Sequence, residues 1–137
     1  MEAYSTARTG THRERLAAAA GFALALVLLR LPFRHTVRAV RLARRPGRRE
    51  LEAAQATAVV SAVRHTARWW PGRAACMETS LGAVLAAALL GRRLDWCLGC
   101  RFAPPPVEYH AWAAVPGHGP VGEYTAAGWH HHTALTV

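Results

Sequence analysis

The chain has 137 residues, 52% hydrophobic and 18% charged, a composition that buries one core and excludes a disordered chain. All 17 basic residues are arginine, set against 8 acids for a net charge of +9, and eleven of the arginines fall in the first 50 residues. That asymmetry marks either a patch for a polyanion or membrane surface or a solvated helical face, and the face is the commoner use. The three cysteines, Cys76, Cys97 and Cys100, are an odd number without a signal-peptide pattern. This argues against a secreted disulfide framework and for a cytoplasmic protein.

Residues 1–12 read as a loose terminus. A first helix is predicted from Thr11 or His12 to about Leu31, where Pro32 stops it, and Thr11 with Glu14 fits a capping box. Its apolar run, residues 16–29, is 14 residues long, short of the roughly 20 that cross a bilayer. It is expected to be buried or to lie against a partner, with membrane association as the less favoured use of a basic amphipathic helix. A second helix over 33–45 turns Val37, Val40 and Leu42 inward and its arginines outward. After the turn Arg45-Pro46-Gly47-Arg48, a third helix is predicted over 50–69, with Leu51, Ala54, Ala58, Val59, Ala62 and Val63 on one stripe. Pro71-Gly72 breaks the chain before a fourth helix, 76–92, that buries Leu81, Val84, Leu85, Ala88 and Leu89.

The period then changes. Leu94, Trp96, Leu98, Cys100 and Phe102 alternate with polar or small residues as in a strand, Pro104 to Pro106 interrupt, and further strands are predicted over 107–115 and about 120–125. Helices followed by antiparallel strands give an α+β class: N-terminal helices, then a helix packed on a small antiparallel sheet. One domain is expected over 1–137, with a helical region of about 1–45 and the remainder from about 50 as its core. His130 to His132 read as an exposed polar end.

Chemistry concentrates at Cys76. A thiol in the first turn of a helix faces free N–H groups and the positive end of the helix dipole, and both favour thiolate. Such a nucleophile needs an imidazole and a group that orients it. Along 107–115, Glu108, His110 and Trp112 share one strand face. If Val115-Pro116-Gly117-His118 forms a tight turn, Val115 pairs with His118 and His110 falls opposite Glu123. A longer loop through Gly119 is the alternative, and a slip of one residue turns Glu123 to the other face. Asp95 and Glu108 compete with Glu123 for the orienting role.

The segments CMETSLGAVLAAALLGRR (76–93) and EYHAWAAVPGHGPVGEY (108–124) resemble the lasso-peptide biosynthesis proteases, within the transglutaminase-like branch of papain-type cysteine enzymes. That family pairs a Cys-x-x-x-Ser-Leu helix, here Cys76, Ser80 and Leu81, with a His-Ala-Trp strand, here His110, Ala111 and Trp112, and a later acid, here Glu123. Met77 stands where leucine is usual, and Glu123 stands where the wider superfamily mostly has aspartate. The resemblance implies a papain- or transglutaminase-like fold and a cysteine peptidase that removes the leader of a ribosomally made precursor, with catalytic Cys76, His110 and Glu123. It implies no cofactor. Partners would be the precursor leader, a separate PqqD-like leader-binding protein, for which residues 16–42 offer a docking surface, and the lasso cyclase. The backbone N–H of Cys76 would supply one oxyanion donor, with residues 69–73 the place to seek a second.

Two rival functions remain in view. A transglutaminase-like acyltransferase would use the same three residues. A basic nucleic-acid-binding module would use the arginine-rich third, but that region lacks aromatic-basic interleaving and a recognisable reading helix, so no nucleic-acid partner is expected. Cys97-Leu98-Gly99-Cys100 would need His118 or His130 to His132 to complete a zinc site. Its thiols leave a strand on opposite faces, so no metal is expected.

Overall fold

A computed structural model describes residues 11–43, 49–72, 75–102, 107–117, 119–122 and 130–137. Helix α1 (His12–Leu28) opens on the predicted capping box: the Glu14 N–H donates to Thr11 Oγ1 at 3.2 Å, and the Thr11 N–H donates to Glu14 Oε2 at 3.0 Å. Its small residues Ala17, Ala18, Gly21 and Ala25, with Phe22, form the buried face, while Leu16, Leu24 and Val27 stay exposed. Pro32 ends the segment. In α2 (Phe33–Ala43) only Thr36 and Val40 are buried, and the Thr36 hydroxyl donates to the Leu28 carbonyl at 3.0 Å, beside the Leu31 N–H that donates to the same oxygen at the end of α1. Arg34, Arg38 and Arg41 face outward, as predicted.

The third helix differs from expectation. Arg49–Glu50 forms a short strand, β1, and α3 (Ala53–Ala67) begins three residues later than predicted. Its buried face runs through Ala56, Val59, Val60, Val63 and Ala67, leaving Ala54 exposed. The fourth helix, α4 (Cys76–Leu89), also ends earlier, because Gly91 adopts φ +74° and Arg92–Arg93 forms a second short strand, β2. β1 and β2 pair in parallel, held by an Arg93–Glu50 ion pair at 2.8 Å.

From Ser80 to Ala87 every residue of α4 is buried, so this helix is the axis of the core. It is flanked by α1 and α3 and lies against the sheet. The crossing with α1 is made by glycines: a Cβ on Gly21 would stand 2.5 Å from the Gly82 carbonyl oxygen. Only two residues without side chains let these backbones meet so closely.

The main sheet is antiparallel, in the order β5-β4-β3-β6 among the described residues: β3 (Asp95–Phe102), β4 (Val107–Val115), β5 (Gly119–Pro120) and β6 (His130–Thr136). One face carries Trp96, Leu98, Ala113 and Val115 into the core under α4. The opposite face carries Cys97, Trp112 and Ala114 in a separate buried cluster. The mixed α+β class matches expectation.

Two strand assignments are corrected. Residues 130–132, expected to be an exposed end, belong to β6, which runs along β3 at the edge of the sheet opposite β5. The tight turn is not formed either. Val115 pairs with Gly119 and Ala114 with Pro120, through the longer loop, with Gly117 and Gly119 both at positive φ. The register that set Glu123 opposite His110 is therefore not the observed one. Glu123 itself lies outside the described residues, as do residues 124 and 125 of the predicted 120–125 strand.

Candidate active site

The site forms where α4 begins. Ala75, the residue before the helix, is extended and has no side chain to cap the first turn. The Glu78 carboxylate reaches back instead and accepts from the Ala75 N–H at 3.0 Å. The first-turn N–H groups beside Cys76 are thus not covered by a capping side chain, which leaves positive potential at the thiol. One turn on, Ser80 is buried. Its hydroxyl donates to the Met77 carbonyl at 3.3 Å and accepts the Trp96 indole N–H at 3.0 Å. Ser80 therefore couples the helix that carries the thiol to strand β3.

Strand β4 supplies the rest. The Val121 N–H donates to the Ala113 carbonyl at 2.9 Å, so the main-chain groups of Ala113 point away from β3. Alternate residues of a strand point the same way, and Ala111 does likewise. No strand covers it there among the described residues, since β5 pairs only with Ala114 and Val115. The sulfur of half-buried Cys76 fills the place: the Ala111 N–H donates to it, and the His110 imidazole hydrogen-bonds to it. That bond with His110 lowers the Cys76 pKa from its ordinary value near 9.0, against the opposing effect of burial. The Ala111 amide and the charge of His110 lower it further, and the Glu78 carboxylate works against them. The thiol and imidazole predicted from the sequence are thus brought together and electrostatically matched.

His110 is held on the second face of the sheet. Its ring stacks near Trp112 (centroids 6.0 Å apart, planes 21° apart) and lies 5.9 Å from the ring of His131. His131 in turn meets Trp112 edge-on at 4.8 Å. Gly99, which pairs with His110 on one side and Thr133 on the other, puts no side chain between them. A Cβ there would collide with the His132 carbonyl oxygen.

Of the competing acids, Asp95 pairs with Ala114, four residues along β4 from His110. At about 3.4 Å per residue the two positions stand roughly 14 Å apart along the strands, beyond direct contact of their side chains. Glu108 shares the face of His110 and is exposed. Cys97 is buried beside Trp112, and Cys100 points to the opposite face. Among the described residues no three His, Cys, Asp or Glu side chains are grouped as metal ligands. Of the segment searched for a second oxyanion donor, Trp69 is largely exposed and Trp70 packs edge-on against Phe22 at 6.5 Å, while residues 73 and 74 are outside the described set. The Ala111 amide, the His131 ring and the cavity beside Cys76 carry no local signal in the sequence. The first is a main-chain group with no sequence signal, and the other two depend on β6.

A thiol of lowered pKa hydrogen-bonded to an imidazole, at the start of a buried helix against an antiparallel sheet, can attack an acyl carbon while the imidazole hands a proton to the group that leaves. No helix among the described residues is long and apolar enough to cross a membrane. Comparison with curated proteins and with solved structures gives no significant match to either. Comparison with protein families does: residues 7–136 match the transglutaminase-like superfamily, which includes cysteine peptidases and acyltransferases, and the chain belongs to that superfamily.

Proposed function

We propose that the chain is a cysteine peptidase that removes the leader of a ribosomally synthesised precursor during lasso-peptide maturation. The observation that carries the chemistry is the hydrogen bond between the Cys76 thiol and His110 at the start of α4. The choice of substrate rests on the resemblance of 76–93 and 108–124 to the lasso-peptide proteases. His110 takes the thiol proton, and Cys76 thiolate attacks the scissile carbonyl carbon. The C–N bond breaks as His110 returns that proton to the departing amine, leaving a thioester on Cys76. His110 then draws a proton from water. The hydroxide displaces the sulfur, releasing the leader carboxylate and restoring the thiol–imidazole pair. Glu123 is assigned to orient the imidazole, on the order of residues in the family pattern. The Cys76 N–H would receive the developing oxyanion.

Such an enzyme works in the cytoplasm, where precursors are made, with a PqqD-like protein presenting the leader and the cyclase closing the core. Leu16, Leu24, Val27, Leu31, Phe33 and Leu42 are exposed on α1, α2 and the turn between them, an apolar surface suited to that partner. The same thioester taken by an amine would give an acyltransferase, an outcome the superfamily match keeps open. The test is incubation with a candidate precursor and its leader-binding protein, read by mass spectrometry. Free leader and core mean hydrolysis, and a new isopeptide means transfer. Cys76→Ala and His110→Ala should abolish either product. Cleavage by either variant near the parent rate would overturn the assignment.

A further inference from the structure

A cavity of about 470 Å³ opens against Cys76. It lies over the face of the sheet that carries Leu98, Cys100, Tyr109 and Ala111, and it is completed by Met77 of α4 and Ala134 of β6. Its wall is almost entirely carbon and sulfur. His110 also lines it, but that ring stacks on the other face of β4 with Trp112.

This arrangement separates the two sides of a scissile bond. The imidazole must stand on the side of the departing amine, because it protonates that nitrogen. The cavity spreads from the sulfur across the opposite face, on the acyl side. We propose that it is the subsite for a bulky apolar side chain, of leucine or phenylalanine size, on the substrate residue whose carbonyl Cys76 attacks. The proposal rests on the catalytic reading of Cys76 and His110. The volume falls within the range of built ligand pockets, and apart from the His110 and His132 imidazoles and the Tyr109 hydroxyl its lining side chains are carbon and sulfur. Ala134 is the extra residue of β6 where its register against Leu98 and Gly99 shifts, so a small side chain at that point keeps the cavity open.

Acetylated aminoacyl chloromethyl ketones test this without a precursor. The thiolate displaces chloride, a C–S bond forms as the C–Cl bond breaks, and the labelled residue is read by peptide mass mapping. With leucyl or phenylalanyl reagents Cys76 should be labelled about ten- to fiftyfold faster than with the alanyl reagent. Ala134→Phe, and independently Cys100→Phe, should reduce the leucyl-to-alanyl ratio to about threefold or less, since either side chain fills the same space. Rates within twofold across the series on the parent chain, with Cys76 still the labelled residue, would overturn the subsite and leave the nucleophile intact. An unchanged ratio in both variants would also overturn it. Failure of every reagent to label Cys76 would overturn the catalytic reading and the subsite with it.

Discussion

Ser80 and Trp96 are each other's partners in the core: the indole N–H donates to the hydroxyl at 3.0 Å, and both residues are buried. The bond joins the second turn of the thiol-bearing helix to the strand beneath it. The two side chains thus tie α4, which carries Cys76, to β3.

Ser80→Ala leaves the indole N–H buried without that acceptor, and should cost about 1–3 kcal/mol in urea unfolding. The double variant Ser80→Ala with Trp96→Phe should cost less in total than the two single changes summed, because neither partner is then left alone. Strict additivity would show that the bond contributes nothing.

His110 should govern the titration of Cys76. A lowered pKa means that thiolate appears at lower pH, so alkylation of Cys76 by iodoacetamide should reach half its plateau rate below the pH of an ordinary thiol. In His110→Ala the midpoint should move up, since burial and the Glu78 charge remain while the imidazole bond is lost. Glu78→Gln should move it down, because the charge that raises the pKa goes while an amide oxygen can still accept from the Ala75 N–H. A midpoint unmoved in His110→Ala would contradict the hydrogen bond.

Gly21 should not tolerate a methyl group. A Cβ there would lie 2.5 Å from the Gly82 carbonyl oxygen and 2.6 Å from the Ala86 nitrogen, both main-chain atoms of the central helix. Alanine favours a helix over glycine by about 1 kcal/mol, but overpacking against backbone costs about 1–3 kcal/mol or more. Gly21→Ala should therefore lower the Tm by several degrees in thermal circular dichroism.

Arg64 anchors the chain after β5. Its guanidinium donates to the Gly122 carbonyl at 2.7 Å, linking α3 to the residue just before Glu123. Arg64→Met keeps the stem and loses this charged bond, at a cost of about 1–3 kcal/mol. With Glu123 as the orienting acid, kcat for precursor cleavage should fall more than KM changes. A parent-like kcat and Tm would show that the anchor serves neither purpose.

Features written in short-range chemistry were legible in the sequence. Thr11 and Glu14 cap α1 because capping needs only four residues. Cys76 and His110 were found from a helix start and a strand pattern. What depends on pairing between distant segments was not legible. Arg49–Glu50 is extended because Arg92–Arg93 lies beside it, and two residues are too few to show a period. His130–Thr136 has no apolar alternation, and residues 132 to 136 of this edge strand are exposed. The hairpin after β4 contains two glycines at positive φ, Gly117 at 79° and Gly119 at 83°. Either could close a turn, and the sequence does not say which sets the register.

Among the described residues, the flank of β4 at Ala111 is finished by a sulfur atom and not by another strand. An uncovered sheet margin invites a second chain to add on and begin an aggregate. Here such an intruder would have to displace the Cys76 side chain from the Ala111 amide, so self-association along this margin and loss of the nucleophile would be one event. The Cys76 sulfur thus covers a main-chain amide that an added strand would otherwise take.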